Sequence, residues 1–429
     1  MNVLVIGSGG REHAICSQFS KSCKVKDIFC IPGNSGISKI AKIVNIPIDN
    51  FELIVEFVKR NKIDITFVGQ EVPLALGIVD YFKSHGLQIL GPSMKAAMLE
   101  SSKTYAKLFM NKYNIPTAQY KSFLDMNEAI NFLSSYPINK KIVIKADGLA
   151  SGKGVYVCDD TKQGKDIIIQ MMSKNLFGNA GKKLIVEEYI EGQEFSYLVF
   201  IDGTSYSVMP VAKDHKKLND NDKGLNTGGM GSFAPIPLSL LSNNLDELIK
   251  KTIIQKTVEG ILNEKLYYKG ILYIGIIVDN NNIPYVLEYN CRFGDPETQV
   301  LLPLLNTDLL DISISILNGN LSTLNISWKN KYAVCVILAS GGYPERFVKR
   351  MQITGLDRIN DKDIYIFHSG TELINGKFFT VGGRVLGVTS IANTLHDSAI
   401  KAYNNIHKIY FKNMHYRHDI GLHAGIQKD

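Results

Sequence analysis

The first 92 residues alternate short β-branched runs with amphipathic segments, and this alternation limits the possible folds more than any other feature of the chain. The runs VLVI (3–6), DIFCI (27–31) and DITFV (64–68) predict three strands. Strands that alternate with helices form a parallel sheet, and ligands bind such sheets at the carboxyl ends of the strands. We therefore expect a binding site at that edge. The loops that end these strands are Gly9-Gly10-Arg11, Pro32-Gly33-Asn34 and Gln70-Glu71.

The loop GSGGREH (7–13) follows a strand and opens a helix, so its backbone N–H groups and the helix dipole are suited to an anion. It matches the dinucleotide fingerprint only in part. The third glycine would fall at Glu12, and no acid ends the second strand. We expect a phosphate near Gly9, Gly10 and Arg11 instead of NAD. The alternative is that the glycines serve only a tight turn.

A second glycine-rich segment, DGLASGKGV (147–155), follows a strand that contains Lys145. Glycines at 148, 152 and 154 let the backbone fold closely over phosphates, while Lys145 and Lys153 add charge. The glycine spacing excludes a Walker A loop. The glycine spacing fits better with two strands and a connecting loop that cover a triphosphate, by analogy with protein kinases. A plain hairpin turn is the alternative.

The segment LIVEEYIEGQE (184–194) is an apolar strand that ends in acids. Its backbone offers hydrogen bonds to an adenine edge, and Glu194 is placed to hold ribose hydroxyls. Taken alone, the pattern is also compatible with Glu187 and Glu188 facing water.

In VLEYNCRFGDPETQ, Glu288 and Asn290 are two residues apart on a predicted strand, so they share one face. Their oxygens are the hard ligands that Mg²⁺ prefers in nucleotide sites. Arg292, Asp295 and Glu297 follow in a turn. The alternative is an ion-pair cluster in which Arg292 merely neutralises Glu288 and Asp295.

The segment NTGGMGSFAP (226–235) has flexible glycines beside a charged stretch, which predicts a loop that closes over substrate. Asp214, His215 and Lys216 are expected to line its approach.

The composition excludes several classes of protein. The net charge is +7, but the lysines are spread along the chain without a compact basic tract, which argues against nucleic acid as a partner. No apolar run approaches the length of a membrane span, and no leader is recognisable, so we expect a cytoplasmic protein. Six cysteines without a CxxC pair predict reduced core thiols.

The pattern along the chain predicts four units: 1–116, 117–190, 191–325 and 326–429. The third unit contains the predicted metal site, and a linker is expected near 318–327. Helices are predicted over 93–113, 242–264, 299–317 and 394–410.

These motifs, with PGNSG, GxExPL and GGRVL, occur in an order and spacing that resemble the glycinamide ribonucleotide synthetase family of the ATP-grasp superfamily. The resemblance extends from Met1 to about Gly421. It implies an α/β and α+β multidomain fold. The parts are an amino-terminal parallel-sheet (pre-ATP-grasp) domain, an ATP-grasp core and a small carboxy-terminal α+β domain. One departure is visible, because the usual GPEAPL is GQEVPL here, with Gln70 and Val72.

The resemblance implies that the chain ligates glycine to 5-phosphoribosylamine through a glycyl phosphate, in purine biosynthesis. ATP and Mg²⁺ or Mn²⁺ are the implied cofactors, and a monomer with no membrane or nucleic-acid partner is expected. Two alternatives stay open: another ATP-grasp ligase or carboxylase, and a nucleotide-binding regulator without catalysis.

The resemblance also implies roles for individual residues. Catalytic roles fall to Lys145, Arg292 and Asp295. ATP contacts fall to Lys103, Lys145, Gly152, Lys153, Gly154, Glu187, Glu188, Ile190 and Glu194. Substrate contacts fall to Gly9, Gly10, Arg11, Pro32, Gly33, Asn34, Glu71, Asp214, Gly229, Arg292, Asp295 and Glu297. Metal ligands are Glu288 and Asn290, and the strand ILYIGIIV (271–278) offers no second metal carboxylate.

Overall fold

The computed structural model describes residues 1–137, 139–150, 154–174 and 176–422, and within these ranges the strands form five sheets. Gly152 and Lys153 of the glycine-rich segment lie outside the described residues.

The amino-terminal strands form the predicted parallel sheet. Asn2–Gly7 lies between Asp27–Pro32 and Ile65–Val68, with parallel pairing on both sides. Lys42–Ile43 and Ile89–Pro92 extend the sheet at its two ends. The central strand is almost entirely buried because helices cover both faces of a parallel sheet. The helices of this region are Gly10–Phe19, Phe51–Arg60, Glu71–Ala75 and Ile78–Ser84, with a 3₁₀ turn at Ile37–Lys39.

One long strand joins this sheet to the next part of the molecule. Tyr268–Asp279 pairs antiparallel with Ile89–Pro92, with Gly192–Ile201 and with Pro284–Asn290. The short strand Tyr206–Val208 pairs with the far side of Gly192–Ile201. We call these antiparallel strands, which continue the parallel strands into one nine-stranded sheet, the large sheet. This arrangement brings the end of Pro284–Asn290 beside the carboxyl edge of the parallel sheet, where side chains of the two regions meet.

A smaller antiparallel sheet contains the strands on both sides of the glycine-rich segment. Its order is Tyr120–Phe123, Leu184–Glu188, Ile142–Ala146 and Val155–Cys158. The helices Met126–Ser134 and Thr161–Met172 pack on one face, where Leu133, Ile144 and Ile168 are buried. A 3₁₀ turn, Gly178–Gly181, precedes Leu184–Glu188.

The carboxy-terminal region is the predicted small α+β unit. Its main sheet has the order Lys213–Asp214, Gly231–Ala234, Tyr332–Ser340, Arg384–Ala392 and Ile364–His368, and Met414–His415 pairs with Tyr332–Ser340. The helix Leu395–Ile406 packs on this sheet. The remaining elements are the strands Lys217–Asn219, Lys223–Asn226, Gln352–Ile353, Thr371–Ile374 and Lys377–Thr380, and a 3₁₀ turn at Leu356–Arg358.

The predicted flexible loop over 226–235 is wrong in its second half. Gly231–Ala234 is a buried strand that pairs with Tyr332–Ser340 on one side and with Lys213–Asp214 on the other. Buried backbone groups must find hydrogen-bond partners, and the sheet supplies them here.

The helix predicted over 93–113 is interrupted at one residue. Ser93 caps the first part, Met94–Ser101, by accepting a hydrogen bond from Ala96 N. Ser102 is extended and caps the second part, Lys103–Lys112, while its hydroxyl donates to the Asp147 carboxylate. The break therefore ties the second helix to the loop that follows Ile142–Ala146.

The pattern over 299–317 is also divided, into Thr298–Leu304 and Leu309–Asn318, because Asp308 caps a new helix. The region 242–264 is helical throughout, as predicted. Its middle is a π-helical segment, and its parts are Asn243–Ile249, Lys250–Gln255 and Lys256–Asn263.

The segment 318–327, predicted as a linker, is anchored to the large sheet. Leu321 is buried in a 3₁₀ turn, and its N–H donates to Asp202 Oδ2 at 2.9 Å. The same carboxylate accepts hydrogen bonds from the backbone N–H groups of Thr204 and Ser205. Asp202 thus holds a turn and a distant segment at once.

Two expectations from composition can be compared with the structure. In the described part of the chain, no helix is both long enough and apolar enough to span a bilayer. The cysteine thiols are free and buried except for Cys23, which is exposed. Reduced core thiols are thus confirmed for the other five.

We expect Asp202→Asn to lower the free energy of unfolding by about 1 to 3 kcal/mol, measured by urea denaturation. The asparagine keeps one acceptor oxygen for the local turn, but its NH₂ group cannot accept from Leu321 N. Asp279→Asn is the matched control, since Asp279 Oδ1 accepts only from Asn281 and Ile283 among the described residues. Equal stability of the two variants would contradict the anchoring role.

Candidate active site

Two buried lysines share one buried carboxylate in the small sheet. Lys145 Nζ lies 2.8 Å from Glu187 Oε2, and Lys107 Nζ lies 3.2 Å from Glu187 Oε1. The three side chains are at most 6% exposed. Burial lowers the pKa of Lys107 to about 8, although Glu187 opposes this. Two ammonium groups and one carboxylate give a net positive cluster, which suits a phosphate ligand.

Glu288 lies at the end of Pro284–Asn290, among cations from other segments. Its Oε1 is 3.4 Å from Lys216 Nζ, and its Oε2 is 4.0 Å from Lys103 Nζ. Burial alone would raise the pKa of Glu288, but Lys216, Lys103 and Lys145 outweigh burial and hold that pKa well below its usual value. The carboxylate is therefore ionised and able to bind a cation.

The structure tests whether Glu288 and Asn290 fit a metal ion. Among the described residues, no group of three or more His, Cys, Asp or Glu side chains could hold one. Mg²⁺ in nucleotide sites takes one or two protein oxygens and completes its shell with water and phosphate. The ionised Glu288 and the Asn290 amide oxygen fit that kind of site. On the neighbouring strand Gly275 faces Glu288, so this position offers no second carboxylate.

The Arg292 guanidinium contacts groups from three segments. Nε is 3.3 Å from Glu71 Oε2, and Nη2 is 2.8 Å from Glu100 Oε1 and 3.0 Å from Asn290 Oδ1. Burial alone would lower the pKa of Arg292, but Glu100 and Glu71 raise it. The ion-pair alternative named other partners, Glu288 and Asp295, and the salt bridges of Arg292 are instead with Glu71 and Glu100.

Arg11 is held within the protein at the start of the helix Gly10–Phe19. Its Nε donates to Glu12 Oε1 at 2.6 Å, and its Nη1 donates to the carbonyl oxygen of Phe293 at 3.0 Å. Glu12 Oε2 in turn accepts from Gly9 N. Arg11 thus joins the first loop to the large sheet, and its side chain is only 7% exposed.

Asn34 has a similar bridging position. Its amide group donates to the carbonyl oxygens of Ser8 and His368, both at 2.8 Å, and its Oδ1 accepts from Gly36 and Ile37 N–H groups. The side chain therefore connects the amino-terminal loops to the carboxy-terminal region. Pro32 and Gly33 lie beside Gly7 at the carboxyl edge of the sheet, as predicted.

Two acids lie together next to a glycine. Asp214 Oδ1 is buried without a hydrogen-bond partner in the described part of the chain, and Glu297 accepts a hydrogen bond from Ser196. Burial and the neighbouring Glu297 raise the pKa of Asp214 well above its usual value. Gly229 has a φ of +105°, and a Cβ there would lie 2.5 Å from Pro296 and 2.7 Å from Asp214 Oδ1. The backbone of Gly229 thus closes one side of the acid pair.

Asp295 lies between this acid pair and the first loop. Its Oδ1 accepts from Gln299 at 2.7 Å and is 3.4 Å from Arg384 Nη1. A Cβ on Gly9 would lie 3.1 Å from Asp295 Oδ2. Burial alone would raise the pKa of Asp295, but Arg384 and Arg11 lower it.

The residues predicted to contact the nucleotide's base and sugar are more open. Glu188 Oε1 accepts from Gln119 N, and Ile190 follows the end of the strand Leu184–Glu188. Glu194 is exposed, and its carboxylate is 3.6 Å from Lys216 Nζ. Gly154 is buried, and its carbonyl oxygen accepts from Ala146 N.

Three charged residues in this region were not predicted from the sequence. Lys107 and Glu100 are buried partners of Glu187 and Arg292, and Arg384 donates to the carbonyl oxygens of Gly228 and Asp295. Lys107 is one helical turn after Lys103, so its position could have been found from the spacing. Nothing in the sequence pattern indicates Glu100.

An ATP-grasp protein is defined by this combination of a small antiparallel sheet, which contains the strands on both sides of the glycine-rich segment, and the large sheet. Glu288 and Asn290, at the end of a strand of the large sheet, agree with this class. Family models match the phosphoribosylglycinamide synthetase N domain over residues 1–100, its ATP-grasp (A) domain over 101–298 and its C domain over 333–423. The chain belongs to the phosphoribosylglycinamide synthetase family.

Individual relatives agree with this assignment. The chain is 46% identical over 422 residues to a phosphoribosylamine–glycine ligase of Caldanaerobacter subterraneus, which covers 98% of this chain and 99% of that protein. It is 44% identical to part of the human trifunctional purine biosynthetic protein adenosine-3, over 98% of this chain and 42% of that protein. The crystal structure of a phosphoribosylamine–glycine ligase from Thermotoga maritima superposes with a TM-score of 0.81 at 31% identity, covering 98% and 100% of the two chains.

We expect Gly229→Ala to lower the free energy of unfolding by about 3 kcal/mol or more, because the added Cβ collides with Pro296 and Asp214 and the positive φ is strained. Gly86→Ala is the control, since Gly86 has a φ of +69° but no heavy atom within 4 Å of an added Cβ. It should cost only about 1 kcal/mol. Similar losses in urea denaturation would show that Gly229 is not closely packed against the acid pair.

Proposed function

We propose that this chain is an ATP-dependent ligase that joins glycine to 5-phosphoribosylamine, giving glycinamide ribonucleotide, ADP and phosphate in de novo purine biosynthesis. The observation that carries the proposal is the order in which charged groups neighbour one another across the candidate site. A cationic cluster at Lys145 is followed by the oxygens of Glu288 and Asn290 and then by the acid pair Asp214 and Glu297. Polyphosphate, a metal ion and an ammonium group would fit this order. The names of the relatives support the same assignment.

ATP would lie along the cationic side. The ATP-grasp fold uses ATP, and Lys216, Lys103 and Lys145 are the cations that lower the pKa of Glu288 most. In this proposal the polyphosphate lies between them, and Gly152, Lys153 and Gly154 are further contacts that the family resemblance implies. The adenine edge then lies against the backbone of Glu188 and Ile190, and Glu194 takes the ribose hydroxyls.

Glu288 and Asn290 would hold Mg²⁺ or Mn²⁺. When bound, the ion neutralises charge on the phosphates during transfer. The ionised state of Glu288 supports this role, because a charged carboxylate oxygen is a ligand that Mg²⁺ prefers.

Glycine would bind at the acid pair. Its ammonium group supplies the hydrogen-bond donor that Asp214 Oδ1 lacks in the described part of the chain. Its carboxylate then points toward the phosphate side, and one carboxylate oxygen attacks the γ-phosphorus as ADP leaves. Positioning and charge neutralisation by this chain's lysines carry this step, and no protein nucleophile is needed.

The amine of phosphoribosylamine would complete the reaction by attacking the acyl carbon of glycyl phosphate, which expels inorganic phosphate. We place its sugar phosphate at the loops Gly9-Gly10-Arg11 and Pro32-Gly33-Asn34 and near Glu71. The amine then lies toward Asp295 and Arg292. The helix start at Gly10 supplies backbone N–H groups for the phosphate, and Asp295 Oδ2 lies next to Gly9.

ADP release with glycine and phosphoribosylamine omitted in turn tests the proposal. We expect release to require ATP and both substrates, with glycinamide ribonucleotide formed in equal amount. Bicarbonate-dependent release would indicate a carboxylase, although a negative substrate does not suit the acid pair Asp214 and Glu297. ATP binding without ADP release under any condition would indicate a regulator.

The proposal also includes a monomer in the cytoplasm, with neither a membrane nor a nucleic acid as partner, and the domain boundaries 1–116, 117–190, 191–325 and 326–429. Sedimentation analysis of the full chain tests the oligomeric state. Limited proteolysis tests the boundaries.

We expect Glu288→Gln to lower kcat by about 100-fold or more at saturating Mg²⁺, because a metal ligand loses its charge with little change in volume. Glu247→Gln is a control, since Glu247 is an exposed acid on the surface with a 73% exposed side chain. Near-normal turnover of the Glu288 variant, with ADP release as the measurement, would refute the metal assignment.

For Asp214→Asn, we expect the KM for glycine to rise about 10-fold or more, because one charge-assisted hydrogen bond to the ammonium group is weakened. The KM for ATP should change little. Asp220→Asn is the control, since Asp220 lies in the turn between Lys217–Asn219 and Lys223–Asn226 and pairs with His418. If the ATP and glycine KM values rise together, the acid pair does not bind glycine.

A further inference from the structure

Lys107 has no role in the reaction described above, and its ammonium group is enclosed by the protein. It donates to Thr117 Oγ1 at 2.7 Å and to the carbonyl oxygen of Ala118 at 3.2 Å, and it lies 3.2 Å from Glu187 Oε1. Thr117 and Ala118 thus accept two hydrogen bonds from the ammonium group, and Glu187 forms an ion pair with it. With a side chain only 2% exposed, Lys107 cannot reach a bound ligand.

Lys145 is held less completely. Within the described part of the chain its ammonium group has two acceptors, Glu187 Oε2 at 2.8 Å and the carbonyl oxygen of Leu287 at 3.1 Å. One hydrogen of the ammonium group therefore has no acceptor among the described residues. Leu287 precedes Glu288, so this lysine lies beside the strand end where the proposed site begins.

Glu187 decides how much charge Lys145 can offer. A buried carboxylate paired with one lysine would neutralise it, because low dielectric strengthens the pair. Here one carboxylate is shared by two lysines, and the cluster carries a net charge of about +1 when both are protonated.

We propose that Lys107 is a positioning residue that offsets the charge of Glu187, so that Lys145 keeps a net positive charge for the polyphosphate of ATP. This inference rests on the proposed function, because it assumes that Lys145 faces ATP. Glu187 also fixes the direction of the Lys145 side chain.

The groups around Lys107 define its response to pH. The charged groups that face it are Glu187, Lys145 and Glu188, and the Tyr120 ring lies 5.5 Å from its ammonium nitrogen. Burial is the main cause of its lowered pKa, about 8. Lys107 is therefore charged below that pH and loses its charge as the pH rises through it.

The first test is kcat/KM for ATP, measured by ADP release at saturating glycine and phosphoribosylamine. We expect Lys107→Met to lower kcat/KM for ATP about tenfold or more. This is the size of effect expected when a positive charge close to a bound anion is removed. Lys112→Met is the matched control, because Lys112 lies on the same helix but pairs with Glu264 at the surface. It should leave kcat/KM unchanged.

A double variant separates charge balance from structural support. Lys107→Met together with Glu187→Gln removes one positive and one negative charge and so restores the net charge of the cluster. We expect it to recover most of the kcat/KM for ATP that Lys107→Met loses. If the ion pair serves only to stabilise the fold, the double variant will be no better than Lys107→Met, and that result would overturn the proposal.

The pH profile gives an independent readout. Because kcat/KM reports the free enzyme, the wild-type value for ATP should fall as the pH rises through about 8. Lys107→Arg keeps its charge at all these pH values, so its profile should lack this fall. Identical profiles for the two proteins would also overturn the proposal.

Failure of the proposed function would look different. In that case the wild type would release no ADP with glycine and phosphoribosylamine. Calorimetric titration with a non-hydrolysable ATP analogue and Mg²⁺ would still test Lys107, with the same order of affinities expected among the variants. Unaltered affinity in Lys107→Met would refute the inference about Lys107 alone.

Discussion

The geometry of the candidate site depends on the contacts of the Arg292 guanidinium. It binds Glu71 at the start of the helix Glu71–Ala75, Glu100 in the helix Met94–Ser101 and Asn290 at the end of the strand Pro284–Asn290. The carbonyl oxygen of Phe293 accepts from both Arg292 and Arg11, so a second arginine meets the first at the same point. Such an arrangement is costly to bury unless each charge has a partner. With these partners, the Arg292 guanidinium holds the end of the strand that contains Glu288 against the loops of the amino-terminal sheet.

The charged groups on the two sides of Arg292 favour different parts of the proposed ligands. Lys145, Lys103 and Lys216 lie on the side of Glu288, where they favour anionic groups and keep its carboxylate ionised. Asp214 and Glu297 lie near Gly229, where they favour a cation. An amino acid whose carboxylate must approach a phosphate while its ammonium group is held elsewhere suits this polarity. The electrostatics of the site therefore fit the substrates proposed for this chain.

Much of this arrangement could be predicted from the sequence, because the deciding signals are local. Alternating strands and helices predicted the parallel sheet. Glu288 and Asn290 lie on one strand, Pro284–Asn290, as expected. What could not be predicted depends on distant partners. Ser102 interrupts a helix while binding Asp147, 45 residues away. Arg11 and Asn34 donate hydrogen bonds to the carbonyl oxygens of Phe293 and His368. Lys107 pairs with Glu187, a carboxylate that it shares with Lys145. The roles of individual residues toward ligands stay predictions.

The central claim is that glycine's carboxylate attacks the γ-phosphorus of ATP before the amine reacts. Glycine labelled with oxygen-18 in its carboxylate tests it most directly. If glycyl phosphate forms, the inorganic phosphate released by the complete reaction will contain one labelled oxygen per molecule, as measured by mass spectrometry. Phosphate without label, formed together with glycinamide ribonucleotide, would contradict the account.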